Sequence, residues 1–197
     1  MPDATRRNPQ VHRAILDAAW DLTAAGGWAA VSVDAIAARA GVGKRTVYRW
    51  WPSKAAVVLE AFLDHARVDP VTTRATTAEG VLGAHARHFA DLYVDTDLGR
   101  VFTGLLGAAH QDSDLAARLD EHWFEPRRAP VRAAVREVLE VDVDVDLLLD
   151  LVFGPLHYRL LTGRRPIDHT YADAVVTSVL HGVLGWRPKI EKPNRQE

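Results

Sequence analysis

The segment between residues 31 and 62 constrains the fold more than any other part of the chain. It places Ala37 four residues before Gly41, and Val47 six residues after that glycine. In a helix-turn-helix, two helices cross at ~90–120° over a short turn that often contains glycine. Ala37 lets the helices approach closely, Gly41 adopts a positive φ at little cost, and Val47 fills the shared core. The spacing therefore predicts a helix-turn-helix.

The rest of the chain is also patterned for helices. Apolar residues recur every three or four positions, as in Val11, Ile15 and Leu22 before the segment. Ser32, Ser53 and Asp168 stand where helix N-caps are expected, and the pair Gly26-Gly27 is expected to end the first helix. No convincing strand hairpin appears, so we expect an all-α protein.

The helix after the turn carries the candidate chemistry. It is expected to run from Lys44 to Trp51 and to expose Lys44, Arg45, Thr46, Tyr48 and Arg49. A protruding helix with basic and hydroxylated residues at its start is suited to reading the major groove of DNA. From these residues alone, an ordinary helical hairpin with a charged face remains an alternative.

The charge balance differs between the two parts of the chain. Residues 1–67 carry nine Lys and Arg against six Asp and Glu, whereas residues 68–197 carry 15 against 20. The near-neutral total of −2 therefore hides a cationic first part and an anionic second part. This asymmetry favours a polyanionic partner for the first part only.

A longer string strengthens this interpretation. Residues 35–54 read AIAARAGVGKRTVYRWWPSK, which closely resembles the signature of the TetR family of transcriptional regulators. The family's usual form is A-G-V-S-x-x-T-[LV]-Y-x-[YH]-F-P-[SN]-K, and residues 11–62 cover its whole N-terminal unit. Gly43 stands where Ser or an acidic residue is common, and Trp50-Trp51 replaces Tyr or His followed by Phe.

The resemblance implies a domain organisation. An N-terminal three-helix helix-turn-helix DNA-binding domain (residues 1–53) would be joined by a linking helix (53–67) to a larger helical effector-binding and dimerisation domain (68–197). The polar, proline-containing stretch Asp69 to Thr77 suits such a boundary.

The resemblance also implies DNA contacts at seven positions: Ser32, Lys44, Arg45, Thr46, Tyr48, Arg49 and Lys54. Arg45 and Arg49 would read bases, because a planar guanidinium matches O6 and N7 of guanine. Lys54 would hold a phosphate at the start of the fourth helix. Ser32 is explained equally well as a helix cap.

The second part of the chain resembles the family more weakly, through the string from Phe153 to Gly163. The resemblance implies that the last two helices pair with those of a second copy in a four-helix bundle. The interface would be formed by apolar residues of these helices: Leu149, Val152, Leu156, Leu160, Ala172, Val175, Val179 and Val183.

A ligand pocket is expected among the central helices. Its candidate residues are aromatic, apolar or carry a polar group that would orient a ligand: Phe89, Tyr93, Phe102, Leu106, His110, Trp123, Phe124, Phe153 and His157. We predict no metal site. His85 and His88 lack a carboxylate partner motif, and the Asp142-Asp144-Asp146 alternation has Leu147 where a calcium loop requires Gly.

The function expected on this basis is a homodimeric, ligand-responsive repressor that binds a near-palindromic operator. Its partners would be double-stranded DNA, a second copy and a small apolar or amphipathic effector of unknown identity, with no cofactor and no membrane. The alternatives are an activator, a DNA-binding dimer without an effector, and a helical enzyme. The enzyme is disfavoured, because the chain has no Gly-x-Ser-x-Gly, phosphate loop, His-Glu-x-x-His or Cys. The polar first ten residues predict no signal peptide, so a cytoplasmic location is expected.

Overall fold

The computed structural model describes residues 8–66, 71–139, 142–163 and 165–185, with the side chains of residues 183–185 excepted. None of these residues lies in a β-strand. The all-α prediction is confirmed. The helices are α1 (Pro9–Ala30), α2 (Val33–Arg39), α3 (Lys44–Trp50), α4 (Lys54–His65), α5 (Ala78–Tyr93), α6 (Asp97–Ala109), α7 (Ser113–Leu119), α8 (Glu125–Val138), α9 (Val145–Thr162) and α10 (His169–Gly185).

The turn between α2 and α3 has the predicted chemistry. Gly41 adopts φ 67°, and the amide of Val42 donates to the carbonyl of Ala37 at 2.9 Å. The amide of Gly41 donates to the carbonyl of Ala38 at 3.3 Å. These two bonds form a Schellman motif, which requires a residue in the left-handed region directly after the helix. Gly41 therefore stops α2 and turns the chain toward α3.

Side-chain caps fix several of the other helix starts. Ser32 Oγ accepts from the amide of Ala35 at 3.1 Å, and Ser53 Oγ accepts from that of Ala56 at 3.2 Å. Asp168 accepts from the amide of Tyr171 at 2.7 Å, as predicted from its position before α10. Asp144 accepts from the first amides of α9, so the Asp alternation ends in a helix cap.

The break predicted at Gly26-Gly27 is present, but a further helical stretch follows it. Gly27 adopts a non-helical φ of 69° and ψ of −176°, and the chain becomes helical again up to Ala30. Glycine reaches this positive φ at little cost, so it allows a sharp kink here. The last turn of α1 is thereby redirected toward α4 and α6.

One continuous core joins all the helices. Phe62 of α4 lies between α1 and the later helices, with its ring centroid 5.7 Å from that of Phe102 on α6 and 4.3 Å from that of Trp123. Arg100 of α6 donates from Nε to the carbonyl of Ala24 in α1 at 3.0 Å. Through α4 and α6, the helix-turn-helix unit is packed directly against the second part of the chain.

A π-helical turn from Asp120 to Phe124 separates α7 from α8. The amide of Glu125 donates to the carbonyl of Asp120, five residues earlier. Pro126 and Pro130 follow, and neither has an N–H to donate to the carbonyl four residues before it. The wider turn accommodates one extra residue and changes which side chains of α8 face the interior.

The predicted domain boundary is only partly within the described residues. Residues 67–70 lie outside them, and residues 71–77 form no helix. Among the described residues, no helix is long and apolar enough to cross a membrane.

Candidate DNA-binding surface and effector cavity

The exposed face of α3 is the candidate DNA-binding surface. Val47 is fully buried and anchors the helix, with 0% of its surface exposed. Lys44, Arg45, Tyr48 and Arg49 are all exposed, and Tyr48 exposes 56% of its surface although it is aromatic. Val47 thus anchors α3 to the core, and the four exposed side chains lie on its outer side.

The positive charge on this face is largely unpaired. Lys44 forms an ion pair with Asp34 of α2, and both side chains are about 60% exposed. Arg45 has no ion-pair partner among the described residues. Within the described ranges, the one polar or ring contact of Arg49 is with the ring of Trp50, 5.2 Å from its guanidinium carbon to the ring centroid. The two arginines predicted to read bases are thus free to bind an external acceptor.

Ser32, which caps α2, is exposed like these residues, whereas Thr46 of α3 is not. Ser32 Oγ accepts the cap bond from the amide of Ala35, which leaves its O–H as a donor, so the cap is compatible with a phosphate contact. Thr46 is half-buried on the side of α3 nearer the core.

Lys54, which was predicted to hold a phosphate, binds backbone carbonyls of its own chain. Its Nζ donates to the carbonyl of Trp28 at 3.1 Å and to that of Val31 at 3.0 Å, and lies 4.5 Å from the Trp28 ring centroid. An ammonium group has three N–H donors. Two of them are used to hold the end of α1, so one remains for a phosphate.

A cavity of about 600 Å³ lies among α5, α8 and α9. Its wall is mostly aromatic and aliphatic, with several basic groups. The lining residues are Val71, His85, His88, Phe89, Leu92, Tyr93, Trp123, Phe124, Pro126, Arg127, Arg128, Pro130, Val131, Leu149, Asp150, Phe153, Gly154 and His157.

Six of the nine predicted pocket residues line this cavity: Phe89, Tyr93, Trp123, Phe124, Phe153 and His157. The other three do not. Phe102 is fully buried behind Tyr93, with their rings stacked at 4.5 Å between centroids. Leu106 is half-buried outside the wall, and His110 is exposed at the end of α6. Phe102 and Leu106 lie on α6, and His110 caps its end; the apolar side of α6 packs mainly on α1 and α4 instead of facing the cavity.

The histidines of the wall are hydrogen-bonded to their own helices. His157 Nδ1 lies 2.8 Å from the carbonyl of Phe153, and His85 Nδ1 lies 2.8 Å from that of Val81. Each Nδ1 must carry a proton to donate to a carbonyl, which leaves Nε2 as an acceptor in the neutral ring. Burial lowers the pKa of both histidines and so favours that neutral form.

Sequence reasoning missed the basic residues of the wall. His85 and His88 were considered only as metal ligands, and Arg127 and Arg128 were not considered. No group of three His, Cys, Asp or Glu able to hold a metal occurs in the described part of the chain. The pair Pro126 and Pro130 was the available signal, because two prolines four residues apart disturb the helix that carries Arg127.

The predicted interface residues divide into three groups. Leu149, Val152, Leu156 and Ala172 are fully buried in this chain's own core, with 0% exposure, and leave no surface for a second copy. Val175 is 8% exposed, Leu160 and Val179 are half-buried, and Val183 has a side chain outside the described residues. The large apolar residues that α9 exposes are others: Leu147, Leu151, Tyr158 and Leu161.

Comparison with family models covers both parts of the chain. Residues 15–61 match the model of bacterial regulatory proteins of the tetR family. Residues 76–179 match the tetracyclin repressor-like C-terminal domain, which spans more than half of the chain. The helix-turn-helix and the cavity-bearing helices thus fall within two successive family domains.

Individual relatives agree with these matches. The uncharacterized HTH-type transcriptional regulator YdeS of Bacillus subtilis (strain 168) is 34% identical over 183 residues, which cover 90% of this chain and 91% of that protein. The crystal structure of the TetR family transcription regulator SCO0332 is similar with a TM-score of 0.66 and 31% identity, covering 91% of this chain and 100% of the other. FadR from Bacillus subtilis, in complex with stearoyl-CoA, shares the fold at 19% identity and a TM-score of 0.58, over 87% of this chain and 98% of that one. The chain therefore belongs to the TetR family of DNA-binding, helix-turn-helix transcriptional regulators.

Proposed function

We propose that this regulator is a homodimeric repressor that releases its operator when a small apolar or amphipathic molecule binds in the cavity. The observation that carries the DNA-binding part is the free positive charge on α3. Arg45 and Arg49 are exposed and have no carboxylate partner among the described residues. Each guanidinium can bind O6 and N7 of a guanine in the major groove. Lys44, Thr46 and Tyr48 would contact flanking bases or phosphates.

Ser32 and Lys54 receive a different role from the other five residues. Because their polar atoms cap α2 and hold the end of α1, they act on DNA binding mainly by fixing the position of α3. We place the domain boundary between residues 53 and 68. The helix α4, which begins at Lys54, lies within this boundary and would connect the DNA-binding surface to the effector cavity.

The proposed dimer uses the outer face of α9, defined here as Leu147, Leu151, Tyr158 and Leu161. Their exposed fractions are 54, 39, 60 and 52%. Their spacing of 4, 7 and 3 residues places them on one side of the helix. Such a stripe of large apolar residues is typical of a protein–protein interface. In the dimer, the two α3 helices would enter the major groove one helical turn, or ~34–36 Å, apart, so the operator would be near-palindromic.

The effector-binding part rests on the volume and lining of the cavity. Its 600 Å³ falls in the range of small-molecule sites, roughly 300–1,000 Å³. This volume favours an effector-binding regulator over a DNA-binding dimer with a filled core. The likeness to the FadR complex is one of fold, and supports only that helices arranged in this way can enclose a ligand.

A contact between α4 and the cavity wall supports coupling between the two sites. The Trp123 ring forms part of the wall and lies 4.3 Å, centroid to centroid, from Phe62 of α4. A ligand that binds better to one arrangement of these rings would favour one position of α4, and hence one spacing of the two α3 helices. We propose no catalytic activity, and place the protein's action in the bacterial cytoplasm because its proposed partner is chromosomal DNA.

The test is selection of duplexes from a random-sequence pool, followed by mobility-shift titrations. We expect enrichment of a near-palindrome whose half-site centres lie about 10 base pairs apart. Arg45→Ala should reduce discrimination at one position of each half-site by about 1–3 kcal/mol. The matched control is Arg136→Ala, which removes an exposed arginine of α8 and should leave the selected sequence unchanged. Absence of any enriched sequence would overturn the proposal.

A further inference from the structure

Arg127 is the unusual residue of the cavity wall. Its guanidinium lies over the ring of Trp123, 3.0 Å from the ring centroid, and Nη1 donates to the Trp123 carbonyl at 3.3 Å. These are its only polar or ring contacts with described residues, and no carboxylate pairs with it. A guanidinium has five N–H donors and remains charged at neutral pH. Most of these donors therefore have no acceptor among the residues that the structure describes.

The neighbouring arginine is different. Arg128 also lines the cavity, but Nη1 donates to Asp150 at 2.7 Å and Nη2 donates to the carbonyl of Asp146 at 3.2 Å. The carboxylate of Asp150, which is part of the wall, is thus neutralised by Arg128. Of the two cavity arginines, Arg127 is thus the one without a carboxylate partner in the described part of the chain.

The π-helical turn explains why this charge faces the cavity. Trp123, the fourth residue of the turn, is buried with 2% exposure. Arg127 follows it by four residues and lies on the same side of α8, as side chains four apart do in a helix. Burial of this side lowers the pKa of the Arg127 guanidinium, while the nearby Tyr93 opposes that change. A cation in this position is stabilised by any anion that enters the cavity.

We infer that the cavity binds an organic oxyanion, such as a carboxylate, on an aromatic or aliphatic body, with Arg127 as the residue that binds the charged group. A planar guanidinium can bind two oxygens of one carboxylate. Phe89, Phe124 and Phe153 supply the apolar surface for the rest of the molecule. This inference rests on the proposed effector-binding function and names the chemical class of the effector.

The experiment uses two fluorescent probes of the same shape. 8-Anilino-1-naphthalenesulfonate is an apolar oxyanion, and N-phenyl-1-naphthylamine is the same ring system without the sulfonate. Both are titrated into the full-length dimer in the absence of DNA. We expect Arg127→Met to weaken binding of the sulfonate by about tenfold or more, because a charged hydrogen-bonding partner is lost. Binding of the neutral probe should change by less than about threefold, since the apolar wall is retained.

Two further variants separate the charge of Arg127 from its contribution to folding. Arg127→Lys keeps a cation and should retain most of the preference for the sulfonate. Arg136→Gln removes an exposed arginine of the same helix that does not line the cavity, and should leave the affinities for both probes unchanged. Retained binding of the neutral probe by Arg127→Met also reports an intact cavity.

The outcomes separate this inference from the proposed function. If both probes bind but their affinity ratio is the same in wild type and Arg127→Met, the oxyanion inference is overturned and effector binding stands. If neither probe binds to the wild type, both the inference and the effector-binding function are overturned. DNA binding is measured separately by the mobility shift and is unaffected by either result.

Discussion

Trp123 donates a hydrogen bond from its indole Nε1 to the phenolic oxygen of Tyr93, 2.9 Å away. The two side chains are 2% and 5% exposed, and both line the cavity. The bond joins the π-helical turn before α8 to the end of α5. Because the Trp123 ring also contacts Phe62 of α4, this pair lies between the proposed effector and the helix that leads to α3.

Replacing the acceptor of this bond should destabilise the fold. Tyr93→Phe keeps the ring but leaves the buried indole N–H of Trp123 without a partner, which costs about 1–3 kcal/mol of unfolding free energy. The measurement is urea unfolding at one fixed protein concentration, because the proposed dimerisation would contribute to apparent stability. The control is Tyr48→Phe, which removes an exposed hydroxyl and should change stability by less than about 0.5 kcal/mol. Equal effects of the two substitutions would contradict the assigned bond.

The helix-turn-helix could be predicted in detail because its signals are local. The stop at Gly41 depends on one residue with positive φ, and the caps at Ser32 and Ser53 depend on amides three residues away. The stop and both caps depend on residues within about five positions of one another in the sequence. Lys54 is the exception, since its acceptors on Trp28 and Val31 are more than 20 residues distant.

The exposed apolar face of α9 could not be predicted in this way. Apolar residues surround the helix, with Leu147 and Leu151 outside and Leu148 and Val152 inside. Periodicity identifies a buried face only where it contrasts with a polar one. A helix that is apolar on both sides gives no such contrast, and the predicted residues Leu149, Val152 and Leu156 fall on the side that faces the core.

The residues that line the cavity could be predicted only in part, because helix packing also decides which residues face it. Predicted residues on α5 and α9 line the cavity, but the predicted residues of α6 do not, because α6 packs mainly against α1 and α4. Which of its neighbours a helix faces depends on long-range packing, which the spacing of apolar residues does not encode. The π-helical turn further changes the register before Arg127.

Acid should destabilise the protein through the cavity histidines. Burial lowers the pKa of His157 most, its bond to Phe153 raises it, and the charge of Arg128 lowers it further. The folded-state pKa is therefore below the unfolded value of about 6.5. Above that value both states are neutral; as the pH falls below it, the unfolded chain takes up a proton that the folded chain does not. The unfolding free energy should thus decrease from about pH 6.5 downward.

The check is urea unfolding between pH 7.5 and 5.5. His157→Gln should flatten the dependence in part, and His85 should account for a further share because burial lowers its pKa as well. The control variant is His110→Gln at an exposed position, which should keep the wild-type slope. A slope that is unchanged in His157→Gln would show that this histidine does not contribute.

Loss of the Lys54 ammonium should affect stability more than loss of the Lys44 ammonium. Lys54→Met leaves the carbonyls of Trp28 and Val31 without their donor at the end of α1, which should cost about 1–3 kcal/mol. Lys44→Met breaks only an exposed ion pair with Asp34, which is worth about 0–1 kcal/mol. Thermal and urea unfolding of the two variants measure the difference. If Lys54 served DNA alone, both variants would unfold like the wild type.

The outer face of α9 should control the oligomeric state. Leu151→Asp places a carboxylate in the middle of the proposed contact, where it would be buried without a partner, and should weaken dimerisation by at least about tenfold. Sedimentation velocity over a range of protein concentrations measures this directly, and circular dichroism checks that helicity is retained. The matched control is Tyr48→Asp on α3, because Tyr48 is also a large exposed side chain, and this variant should remain dimeric. Leu156, by contrast, is fully buried in its own chain, so Leu156→Ala should lower the unfolding free energy by about 2–5 kcal/mol through the cavity it creates. A Leu151→Asp variant that sediments as the wild-type dimer would exclude this face of α9 as the interface.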